Sequence, residues 1–104
     1  MGKSVDFDIR TILKEKIDIK EPAQYRVLLH NDDYTSMEFV IDILKGIFRM
    51  NESKAHRVMM NVHKQGIGIC GVYTYDIALT KVEQVHSLAR SQGFPLRASL
   101  EDEK

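Results

Sequence analysis

Tryptophan is absent from this chain of 104 residues, cysteine occurs once and proline twice. A single cysteine cannot close an intrachain disulfide, which favours a reducing compartment, and a cytoplasmic protein is expected. Charge of one sign is lacking too: fifteen Lys and Arg offset fifteen Asp and Glu, for a formal charge of zero. Nucleic-acid binders ordinarily carry a basic excess that displaces counterions from phosphates, so no nucleic-acid partner is expected. No apolar run approaches the roughly 18–20 residues of a membrane span, and the N-terminus lacks a signal-peptide apolar stretch, so no membrane partner is expected either. What is present is 43% hydrophobic and 29% charged residues in a length suited to one domain. A chain of this size can bury roughly 65% of the surface it exposes when unfolded, enough for a core without staples.

Residues 1–22 differ from the remainder. They hold five basic and five acidic residues, and Ile9, Ile12, Leu13 and Ile17 are spaced for only a turn or two of weak amphipathic helix. The expectation is a flexible N-terminal extension over 1–22, ending at Glu21-Pro22, and a folded core over 23–104.

In the core, Tyr25, Val27 and Leu29 alternate along a strand ending at His30. Asn31-Asp32-Asp33 breaks it, and Thr35 with Glu38 three positions on forms a capping box for a helix running to about Arg49. Asn51 caps a second helix over roughly 52–64, in which Ala55, Val58, Met59 and Val62 share one face and Gly66 supplies the stop. Ile67 to Tyr73 reads as a strand, Thr74 as the cap of a third helix to about Gln92, and Leu96, Ala98 and Leu100 as a last strand. The order is β-α-α-β-α-β. It predicts an α+β two-layer sandwich, a three-stranded antiparallel sheet with three helices on one face.

Several motifs fail on physical grounds. Gly66, Gly68 and Gly71 spell a dinucleotide-binding pattern, but a helix precedes them and a strand follows, the reverse of what pyrophosphate binding needs. Small residues there serve instead to let a helix pack close to the strand. His56 and His63 are separated by ~10.5 Å of helical rise, too far to share one metal with bonds of about 2 Å. No metal and no cofactor is expected. Cys70 sits in a buried strand as a small hydrophobe without a placed base, and Asp32 or Asp33 with His63 lacks a third group. No catalytic residue is assigned.

A better constellation joins the turn after the first strand to the second helix. If the two helices form a hairpin, Met37, Val40, Met59 and Val62 line one apolar cavity, its mouth ringed by Asn31, Asp32 and His63. That is a pocket for an apolar side chain carrying a cationic or amide-bearing end. The same spacings also serve an ordinary core beside an Asp-Asp turn.

Those residues carry a resemblance. The run Asn31-Asp32-Asp33-Tyr34-Thr35-Ser36-Met37-Glu38, then Met59-x-x-Val62-His63-x-x-Gly66, then Cys70-Gly71-Val72-Tyr73 and Lys81, resembles the ClpS family over roughly residues 22–101. ClpS proteins are non-catalytic adaptors that hand N-degron substrates to the bacterial Clp unfoldase–protease. The resemblance implies that a leading Leu, Phe, Tyr or Trp side chain enters the pocket and its free α-amine is held by Asn31, Asp32 and His63. It further implies that Asp33 and Thr35 support the loop and contact the peptide, that Leu96 joins the pocket lining, and that Met37 screens out β-branched side chains. Asp76 and Lys81, at the start of the third helix, would dock on the N-terminal domain of a ClpA-type unfoldase. Residues 1–22 would be engaged by that unfoldase during hand-over, and the adaptor would act as a monomer. Two departures stand out: Ser36 replaces a common proline, loosening the helix start, and Leu79-Thr80 replaces an acidic-bearing approach to Lys81.

Two other readings compete. The element order also resembles the C-terminal domain of the ribosomal stalk protein, a general interaction domain that works through an exposed helical surface. A small hydrolase would use Cys70 or the Asp/His pair.

Overall fold

A computed structural model describes residues 22–103 of the protein. The order is β1 (Gln24–His30), α1 (Met37–Gly46), α2 (Glu52–Gln65), β2 (Ile67–Thr74), α3 (Tyr75–Ser91) and β3 (Arg97–Asp102). This is the predicted α+β sandwich. The extension over 1–22 lies outside the described residues except for Pro22.

The first strand is central. β1 pairs antiparallel with both neighbours in the order β2-β1-β3, which explains why Val27 and Leu29 are fully buried. Cross-strand partners share a face, so Tyr25, Val27 and Leu29 look with Gly68, Gly71, Tyr73, Ala98 and Leu100 toward the helices. Arg26, Leu28 and His30 look the other way, beside Val72, Ile69 and Ile67 on one side and Glu101, Ser99 and Arg97 on the other. A bulge interrupts the β1–β2 ladder between Val27 and Leu28, where Gly71 and Ile69 are successive partners and Cys70 is the extra residue. The core gathers Ile43 and Leu44 of α1, Ala55, Val58 and Val62 of α2, and Ala78, Val85 and Ala89 of α3 over this sheet.

Helix ends follow local chemistry in two places. Asn51 accepts from the Lys54 amide at 2.8 Å, and Gly66 ends α2 at φ 88°, its amide donating to Val62 O. Elsewhere tertiary contacts prevail. The cap of α1 is Ser36, whose Oγ accepts from the Phe39 amide at 3.1 Å, and not Thr35. The Thr35 side chain is turned instead toward the β1–α1 loop, where its amide and hydroxyl both donate to the Asp32 carboxylate. The serine departure therefore secures the helix start and does not loosen it.

The helix also stops at Gly46, three residues short of the expected end. Lys81 Nζ donates to Ile47 O at 2.9 Å, and Arg49 at φ 59° turns the chain so that the Met50 amide reaches Leu44 O. At the start of α3, Thr74 occupies the cap position but makes no side-chain cap bond. β3 begins at Arg97, leaving Leu96 in the preceding loop.

Candidate functional site

The β1–α1 loop is built around one carboxylate. Asp32 Oδ1 accepts from the amides of Tyr34 at 2.8 Å and Thr35 at 2.7 Å, and its Oδ2 accepts from Thr35 Oγ1 at 2.8 Å. Burial works against the ionised form, but these bonds, with the charge of Arg90, outweigh it and hold the carboxyl below its usual range. Asp32 is thus an anion at neutral pH and the keystone of its own turn.

A main-chain bond from the Asn31 amide to Gly66 O, 2.9 Å long, ties the end of β1 to the end of α2. It brings Asn31, in the loop, beside His63, in the last turn of α2. Both side chains are exposed, and among the described residues neither makes a hydrogen bond. Their polar atoms are free for a ligand.

Beneath this rim lies a cleft of about 250 Å³, lined by Asn31, Asp32, Asp33 and Thr35 from the loop, Met37 and Val40 from α1, and Met59, Val62 and His63 from α2. Val40, Met59 and Val62 are buried, while Met37 is 43% exposed and stands at the mouth. The seven residues that spacing placed around one cavity line this cleft, as do Asp33 and Thr35, which the resemblance added. Leu96 is not among them: it is 1% exposed and belongs to the core. Its carbonyl accepts from Arg90 Nη1, which also holds Phe94 O, and this fixes the loop between α3 and β3.

The two expected docking residues differ in freedom. Asp76 is exposed in the first turn of α3, where its charge suits the helix dipole. Lys81 is committed to Ile47 O and lies 5.8 Å from the Phe48 ring centroid and 5.4 Å from that of Tyr73. It also borders a larger groove of about 520 Å³ between the end of α1 and α3, where Ser87, Ser91, Gln84 and Arg49 supply the polar lining. That groove gathers no cluster of acidic, histidine or cysteine side chains. Among the described residues, no group of three or more such side chains is placed to hold a metal.

Sequence reasoning missed Gly68, which backs Val62 on the side away from the cleft, and Arg90, whose charge helps keep Asp32 ionised. Gly68 was noted only as a small residue, and Arg90 carried no motif. The hydrolase reading finds no support at Cys70, since burial pushes its thiol up to about 12 and leaves it protonated at neutral pH.

The fold and the cleft define a small α+β binding domain with a half-open apolar pocket and a polar rim. The sequence model of the ClpS family, ATP-dependent Clp protease adaptor protein, matches residues 20–99, and the chain belongs to that family. The ClpS adapter of Oleidesulfovibrio alaskensis is 54% identical over 95 residues, covering 91% of this chain and 89% of its own. That of Wolinella succinogenes is 50% identical over 102 residues, covering 98% of each. Among solved structures, Agrobacterium tumefaciens ClpS2 bound to L-phenylalaninamide superposes with a TM-score of 0.78 at 44% identity, covering 80% of this chain and all of that one. The protein is therefore a Clp protease adaptor by family. Among the described residues, no helix is long and apolar enough to cross a membrane.

Proposed function

We propose that the cleft receives the first residue of a protein whose N-terminus is Leu, Phe, Tyr or Trp, and that this adaptor delivers the captured protein to a ClpA-type unfoldase. The observation that carries the reading is the meeting of an apolar cleft with two unengaged polar side chains and one anchored carboxylate. An α-amine has a reference pKa near ~8 and is mainly ammonium at neutral pH, offering three donors. The Asn31 amide oxygen and a His63 ring nitrogen are neutral acceptors, and Asp32 supplies the compensating charge. The relative whose structure was solved with L-phenylalaninamide supports this, because that ligand is a phenyl side chain with a free α-amine.

Burying a Leu or Phe side chain contributes ~1.5–3 kcal/mol, and each hydrogen bond to the charged amine ~1.5–3 kcal/mol. After association costs, a Kd in the low micromolar range, about −8 kcal/mol, is expected. Met37 at the mouth meets the β-carbon of the entering residue and so screens against Val and Ile. Asp33 and Thr35 border the peptide's path, while Asp76 and the region around Lys81 form the docking face. Residues 1–22 are the segment the unfoldase engages. The test is a titration with two peptides that begin with Phe and differ only in acetylation of the first amine. Binding of the free form alone supports the reading, and equal binding overturns it.

A further inference from the structure

Gly68 lies outside the cleft, on the core face of β2, directly behind the α2 wall. A Cβ built at Gly68 would stand 2.6 Å from Val62 Cγ2, but 3.4 Å from Val58 O and 3.5 Å from Val62 N. The last two are ordinary contact distances. The helix backbone thus already leaves room for a methyl group, and the Val62 side chain does not. Val62 is 3% exposed and lies between Gly68 and the cleft it lines.

We propose that Gly68 sets the width of the cleft by letting Val62 pack back against the sheet, and so determines how large an N-terminal side chain the site accepts. The inference rests on the reading of the cleft given above. A β-branched side chain in a helix has essentially one χ1 well, so Val62 cannot swing aside to another good rotamer. A methyl group on residue 68 instead displaces Val62 and its turn of α2 toward α1, into the cleft. The volume lost comes from the wall against which a ring would lie. A Phe side chain loses more contact than the smaller Leu, while Asn31 and Asp32 stay in place on the β1–α1 loop; His63 moves with the Val62 turn, but it holds the amine that both peptides share and so does not alter their ratio. Gly71 provides the internal contrast: a Cβ there would meet the Tyr73 ring, 2.7 Å from its Cζ, and not the cleft wall.

The experiment measures Kd for a Phe-leading and a Leu-leading peptide of otherwise identical sequence, on the full chain. A methylene's worth of space in an apolar pocket commonly changes discrimination by about 10–200-fold, and Gly68→Ala is expected to lower the Phe:Leu preference by about tenfold. Gly71→Ala is expected to leave the preference where it was. In a Val62→Ala background the clashing methyl is gone, and adding Gly68→Ala should then not change the preference. An unchanged preference in folded Gly68→Ala overturns the proposal, as does an equal loss in the Val62→Ala background. If the single variant fails to fold, the comparison of the double variant with Val62→Ala still decides: equal preferences support the proposal and a lower one in the double overturns it. Failure of the underlying reading looks different, since the unaltered protein would then bind neither peptide or would bind acetylated forms equally well.

Discussion

Asp32→Asn separates the charge of the keystone residue from its geometry. The asparagine oxygen can keep both bonds that Oδ1 now accepts, from the Tyr34 and Thr35 amides. Its NH2 group replaces Oδ2, and the Thr35 hydroxyl, now a donor at 2.8 Å, can rotate to accept from it. The turn therefore survives while the anion is lost. A hydrogen bond to a charged partner is worth ~1.5–3 kcal/mol, so affinity for a Phe-leading peptide should fall by roughly 10–150-fold. Affinity should then depend less steeply on salt, because one of the two carboxylates lining the cleft has become neutral. Asp32→Ala removes all three accepted bonds as well and should lose stability in addition to affinity. Isothermal titration gives the affinities, and urea midpoints show whether the turn has been disturbed. Unaltered affinity in folded Asp32→Asn would refute the assignment of Asp32 as the counter-charge of the amine.

Three further outcomes are expected. Lys81→Met removes the bond to Ile47 O and the contacts with two rings, and should cost about 2 kcal/mol, lowering Tm by roughly 10 °C; an unchanged Tm by differential scanning calorimetry would show that Lys81 does not anchor the end of α1. Arg49→Gly relieves a left-handed residue at φ 59° and should gain about 1 kcal/mol, raising the urea midpoint, whereas a lower midpoint would mean that the arginine side chain matters more than the backbone. Burial, then the nearby Arg97 charge, lowers the His30 pKa below its ordinary value, so the unfolded chain binds this proton more readily than the folded one. Stability should accordingly fall as pH drops through about 6.5, the unfolded value, and His30→Gln should flatten that part of the urea-midpoint profile; an equally steep profile in the variant would exclude His30 as its source.

The parts of the molecule legible in the sequence are those decided within a few residues. Asn51 and Gly66 bound α2 because a cap and a left-handed stop are local bargains between a side chain and the nearest amides. The two walls of the cleft were legible for the same reason, since Met37 and Val40 sit three positions apart on one helix and Met59, Val62 and His63 three and four positions apart on the next. What escaped depends on groups distant in sequence. The cap moved from Thr35 to Ser36 because Asp32 had already claimed Thr35, and α1 ended early where Lys81, thirty-four residues later, reaches its last turn. Leu96 carries the same apolar signal whether it faces a cleft or the core, and only the packing of α3 on β3 decides between them. The bulge at Cys70 has no signature in a strand already rich in glycine. The family resemblance supplied roles that spacing alone left open, above all the amine-reading rim.

One site is proposed to read a free α-amine and a bulky apolar side chain together. This is tested most directly by isothermal titration of the full chain with a Phe-leading peptide, its Nα-acetylated twin and a Val-leading peptide. The first should bind in the low micromolar range and the second at least about a hundredfold more weakly, because acetylation removes the charge and two donors. The third should bind similarly weakly, turned away at Met37. Equal affinity for the free and acetylated Phe-leading peptides would contradict the proposal.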